Sequence, residues 1–125
     1  LVAITAEPLT PSPGLAIVIG SIGALIMYFG TKMLESFGID DVVGAIPVHM
    51  FAGIFGTLVV PLTNSDTSFG TQLVGTLSVC VFSFVLSYLV FKALKATVGL
   101  RISKAAEKQG TDKSEIGVTA YSIRD

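Results

Sequence analysis

The stretch GAIPVHMFAGIFG, Gly44–Gly56, holds the only histidine of the chain. His49 stands mid-way along a run, Val42 to Ser65, that contains no Asp, Glu, Lys or Arg. An ionisable ring in so apolar a segment needs a reason, because leaving it in hydrocarbon is costly. On a helix, Ala45, His49, Gly53 and Gly56 share one stripe, with Gly44, Val48 and Ala52 beside it. Small residues around a ring leave space next to it. Either a neighbouring helix packs closely into that space, as small-xxx-small patterns allow, or a narrow channel runs there with the imidazole on its wall. Hydrogen bonding of His49 to another helix fits the first reading. Haem ligation fits poorly, since the chain has no second histidine to serve as the other axial ligand. Pro47 lacks an N–H and crowds the carbonyl of Val43, so the regular helix begins near Ile46 or bends there.

Outward from this run, charge divides the chain. No Asp, Glu, Lys or Arg lies between Glu7 and Lys32, between Asp41 and Asp66, or between Asp66 and Lys92. Each gap accommodates the about 20 residues with which a helix crosses a bilayer. The pattern predicts an all-α membrane protein with three transmembrane helices at about 14–34, 42–62 and 70–94. Each is apolar around its whole circumference, unlike the amphipathic helices of a soluble domain. A membrane β-barrel is the weaker reading, because its strands are only about 10 residues long and alternate in polarity. Lys92, Lys95, Arg101, Lys104 and Lys108 crowd the end of the third span and place it in the cytoplasm. The Glu35–Asp41 loop is then cytoplasmic and the Thr63–Phe69 loop external.

The totals agree. Of 125 residues, 51% are hydrophobic and 14% charged, against about a quarter charged in soluble domains. Mean hydropathy is +0.78. A net charge of −1 gives no electrostatic case for nucleic acid. A lone Cys80 and a lone histidine make neither a disulfide nor a zinc site, so no cofactor is expected. No nucleophile–His–acid set or phosphate loop suggests an enzyme. From Gly99 the composition turns polar, with five basic and four acidic residues. The expected division is a membrane region over 1–98 and a tail over 99–125, with a short helix near Arg101–Gln109 broken at Gly110 and Gly117. The opening LVAITAEPLTPSPG has no initiator Met and no basic region before an apolar core, and reads as a chain entered part-way through a longer protein.

Several of these segments together carry a resemblance. LVAITAEPLTP, IDDVVGAIPVHMFAGIFGTL, ATVGLRIS and EIGVTAY resemble the carboxyl-terminal part of the ammonium transporter (Amt/Mep/Rh) family over essentially the whole chain. The most specific elements are the DD-x-x-G-A-x-x-V-H-x-x-x-G-x-x-G-T block and the GLR…G…AY tail. The resemblance implies a fragment of an eleven-helix transporter fold, assembled as a homotrimer with one pore per protomer in the plasma (inner) membrane. It implies that His49 is the second of two pore histidines, with Ala45 and Gly53 on the same pathway. Ammonia or ammonium would be the solute, with methylammonium as analogue. It also implies that Asp40, Asp41, Gly99, Leu100, Arg101 and Tyr121 belong to a cytoplasmic face, where the tail couples protomers and a PII-type signalling protein docks. The tail departs from the common H-G-E pattern, with Ile116-Gly117-Val118 in its place. The alternative of another class is a small non-transporting membrane anchor or assembly subunit.

Overall fold

A computed structural model describes residues 1–120, and they are helical with no strand among them. The chain forms two compact units, Leu1–Ser83 and a second that begins at Phe84.

Helix α1 spans Pro13–Ser36. It starts where the prolines predict. Ser12 Oγ accepts from the Leu15 N–H at 3.3 Å, and Pro13 occupies the first turn, where its missing N–H costs nothing. It stops at Gly38, which takes φ +71. The Ile39 N–H then donates to Leu34 O at 3.0 Å and the Gly38 N–H to Glu35 O at 2.9 Å, the paired bonds of a glycine-terminated helix. Only a narrow stripe of α1 is buried: Ile19, Gly23, Gly30 and Leu34. Their spacings of four, seven and four put them on one face.

That face meets the His49 segment, whose structure differs from the regular helix expected over 42–62. Val42 and Val43 are exposed and non-helical. The helix begins with a wide π-type turn over Ile46–Phe51, continues as α2 over Ala52–Val59, and tightens into a 3₁₀ turn over Val60–Leu62. The cause lies at the start. Gly44 takes φ +68, and Pro47 supplies no donor while its ring crowds the turn before it. The backbone widens, and the Ala52 N–H reaches both Pro47 O and His49 O. Ile46–Leu62 is therefore a shorter apolar helix, whereas α1 and the third helix are each long and apolar enough to cross a membrane.

Close approach joins α1 to this segment. Gly30 lies against the Phe51 ring and Pro47, and on this segment Gly23 faces Ala52, 4.0 Å from where a Cβ would stand. The order of contacts reverses along the two helices, so they run antiparallel. A 3₁₀ turn, Val2–Ile4, fills the angle between them. The core of this unit is accordingly small: Ala3, Ile19, Leu34, Ala52 and Val60, with Pro47 wholly enclosed.

Helix α3 runs over Phe69–Thr97, slightly longer than the expected 70–94, and none of its residues is buried. It ends where the Val98 and Gly99 N–H groups both reach Leu94 O, with Gly99 at φ +83. So largely apolar a surface on so long a helix is not a stable arrangement in water, where each exposed Leu or Phe forgoes about 1.5–3 kcal/mol of burial. Lipid or further protein is its natural surrounding. In the tail, α4 covers Lys104–Gln109. It is shorter than expected because Ser103 caps it, accepting from the Ala106 N–H at 3.2 Å. Gly110 and Gly117, at φ +93 and +77, bound a second wide turn over Asp112–Ile116.

Candidate functional site

His49 lies in the wide turn and is exposed. Ala45 is exposed as well, Gly53 is half-buried, and Met50 beside His49 is 52% exposed. Elsewhere on the same segment Pro47, Ala52 and Gly56 are buried. The four-membered stripe expected from spacing is thus divided. Ala45, His49 and Gly53 are left open to different degrees, and Gly56 is consumed by packing. The imidazole makes no hydrogen bond among the described residues.

Two features of this unit had no sequence signal. The first is the Val2–Ile4 turn. Thr5 secures it, its hydroxyl donating to Val2 O at 2.8 Å. Ala3 is locked between two helices. A Cβ at Gly56 would stand 2.5 Å from Ala3 O, and one at Gly23 would stand 2.7 Å from the Ala3 Cβ. Val2 lies next along the turn, and its Cγ1 would be 3.7 Å from a Cβ at Gly53. The second is a clasp between distant segments. The Asn64 side-chain amide donates to Glu7 Oε2 at 2.8 Å. Asn64 Oδ1 also accepts from the Asp66 N–H, and the Thr67 hydroxyl donates to Asn64 O. The bond from Asn64 holds the Glu7 carboxyl below its ordinary pKa, helped by the Leu9 N–H. Neither feature could be read from periodicity, because both depend on contacts between segments remote in sequence.

The residues grouped on the proposed cytoplasmic face have individual structural roles. Asp41 caps the His49 segment: its two carboxylate oxygens accept from the Ala45 N–H at 2.9 Å and the Ile46 N–H at 2.7 Å. With the Val48 N–H on Gly44 O and Pro47 donating nothing, the orphan donors of the first turn are accounted for. Asp40 is exposed and borders a shallow cavity of about 70 Å³, which Thr31, Leu34, Gly44 and Pro47 also line. The His49 ring does not line it. Gly99 terminates α3, and Leu100 is exposed. Arg101 pairs with Glu107 at 3.7 Å, with both side chains largely in solvent, an arrangement worth little stability. Asp112 Oδ2 accepts from the Ala120 N–H at 2.8 Å, which holds the Asp112 carboxyl below its usual range. Tyr121 lies outside the described residues.

Comparison with known proteins places this geometry in a family. The model of the Ammonium Transporter Family matches residues 1–121. The sll1017 protein of Synechocystis is 37% identical, the match covering 98% of this chain and 28% of the relative. The Archaeoglobus fulgidus protein named ammonium transporter Amt2 is 33% identical, over 97% of this chain and 30% of its own length. One from Methanocaldococcus jannaschii, ammonium transporter Amt1, is 30% identical over 86% and 29%. The chain spans about three tenths of the length of these relatives. A match over nearly every residue, on a helical chain whose two longest helices can each cross a membrane, establishes that the chain belongs to the ammonium transporter family.

Proposed function

We infer that the protein carrying this chain conducts ammonia or ammonium across a membrane, and that His49 lines the path. The observation that carries this reading is that packing closes Pro47, Ala52 and Gly56 of the His49 segment and leaves Ala45 and His49 exposed and Gly53 half-buried. Close packing occupies Ala52 and Gly56 and leaves the imidazole uncovered by the unit. Such a ring, placed at membrane depth, is suited to a neutral polar solute. Carrying an ammonium ion intact through a dry apolar bore costs many kcal/mol, whereas ammonia is neutral. Imidazole both donates and accepts a proton, so it can hydrogen-bond ammonia while the proton is handled separately. Potassium has no proton to shed, and the same bore rejects it.

In this reading α1, Ile46–Leu62 and α3 are the last three of about eleven crossing helices in each subunit of a homotrimer. The short middle crossing is completed by the irregular backbone ahead of it, which is tolerated where protein or water covers it. The membrane is the plasma (inner) membrane, with residues 99–125 as a cytoplasmic tail that couples protomers. The GLR segment at Gly99–Arg101 and the Asp40–Asp41 loop form the face to which the tail, Tyr121 included, and a PII-type signalling protein belong. A non-transporting anchor would share the apolar helices, and membership of the ammonium transporter family favours the transport reading over it.

The test is His49→Asp and His49→Glu in the intact native protein, read as ammonium uptake against potassium uptake. The expected result is loss of discrimination against potassium. Unchanged selectivity with intact uptake would remove His49 from the pathway.

A further inference from the structure

We propose that Val2 forms part of the wall of the solute pathway, one helical turn beyond His49, and sets its width there. The inference rests on the reading of the His49 face as a pathway. Gly53 follows His49 by four residues, so it occupies the same side of the segment. Gly53 has no side chain, and the atom that approaches its open side is the Val2 Cγ1, 3.7 Å from where a Cβ would stand. Val2 is itself half-buried within this unit.

The position of Val2 is held from both ends. Ala3, 4% exposed, is wedged between Gly23 and Gly56, and the backbone atoms of Ala3 lie where any side chain at Gly56 would go. The Thr5 hydroxyl and N–H both bond to Val2 O, closing the turn. Farther on, Glu7 is tied to Asn64. These ties hold the turn in place, so the reach of the residue-2 side chain is what sets the space beside Gly53. A branched side chain with no polar atom offers no hydrogen bond, so it discriminates by size alone. Methylammonium exceeds ammonium by one methyl group, the increment that an apolar wall can sense.

The experiment compares uptake of ammonium and of methylammonium by the intact native protein and by Val2→Ala and Val2→Phe. The expected result is a methylammonium-to-ammonium ratio that rises in Val2→Ala and falls in Val2→Phe, by roughly tenfold for one methyl in an apolar site. Gly53→Ala serves where Val2→Phe fails to fold. Its added Cβ meets Val2 at an ordinary contact distance, and it narrows the same point from the other side. It is expected to lower the ratio as well. Size-exclusion of the purified protein reports folding separately from uptake. An unchanged ratio in Val2→Ala and Gly53→Ala, with uptake and assembly intact, overturns the role of Val2 alone. A wild-type protein that carries neither solute overturns the transport reading, and this inference with it.

Discussion

Ala3 is expected to couple energetically to Gly23 and not to Gly56, although it touches both. The nearest neighbour of a Cβ added at Gly23 is the Ala3 Cβ, at 2.7 Å. The nearest neighbours of one added at Gly56 are all backbone, Ala3 O at 2.5 Å and Ala3 C and Cα at 2.8 Å. Either glycine-to-alanine change gains about 1 kcal/mol of helix propensity. Overpacking costs about 1–3 kcal/mol, and the upper part of that range applies where rigid backbone is the obstacle. Gly56→Ala is therefore expected to destabilise by about 1–2 kcal/mol net. Gly23→Ala is expected to be near neutral, since a methyl group meets a methyl group and an overpacking cost of about 1 kcal/mol roughly offsets the gain in propensity. Adding Ala3→Gly removes the obstacle at Gly23 and leaves the one at Gly56 in place. The cycle for residues 3 and 23 should then show a favourable coupling of about 1 kcal/mol, and the cycle for 3 and 56 a coupling within about 0.5 kcal/mol of zero. The assay is thermal unfolding of the intact protein in detergent, followed by size-exclusion of the surviving fraction for all six proteins. Equal rescue of both glycine variants by Ala3→Gly would refute the geometry of the wedge.

Asp41→Ala should cost about 0.5–2 kcal/mol, the usual loss of a capping side chain, while Asp41→Asn retains most of the stability; thermal unfolding of both variants checks this, and an equal loss in the two would refute the cap. The Glu7 clasp should be sensitive to acid. Its folded-state pKa lies below the unfolded value, so its contribution is complete above the unfolded pKa and disappears as pH falls through the lowered folded one. Glu7→Gln should remove that part of the acid dependence, measured as stability against pH, and an identical profile in the variant would contradict it. Deleting Gly99–Asp125 should impair transport by the intact protein without abolishing its assembly; uptake at the wild-type rate would show that the tail does not couple to the pathway.

Composition and charge spacing carried a large share of this fold. The charge-free gaps before Lys32 and before Lys92 correspond to α1 and α3 within a few residues, because a long helix apolar around most of its circumference is recognisable without tertiary information. Pro47 announced the irregular start at Ile46, and Gly38, Gly99, Gly110 and Gly117 each mark a stop at positive φ. Family membership was also legible, since the DD-to-GT block and the GLR tail are specific strings. The middle segment was read too long, because hydropathy counts Val42 and Val43 as helix while Gly44 and the Asp41 cap decide where the backbone can begin to wind.

The sequence by itself determined that His49 sits in an apolar run with small residues at helical spacing. Which side of that run is filled is a different question, because spacing describes one helix and packing requires two. Only the tertiary structure showed Gly56 closed by the backbone of Ala3 and Gly23 by its methyl group, with Gly53 half open beside Val2. Gly20, by contrast, has nothing within 4 Å of an added Cβ, although the sequence marks it no differently from Gly23. Glycines of equal spacing thus receive unequal roles. What distinguishes them is the approach of a segment distant in sequence, and no local pattern encodes that approach.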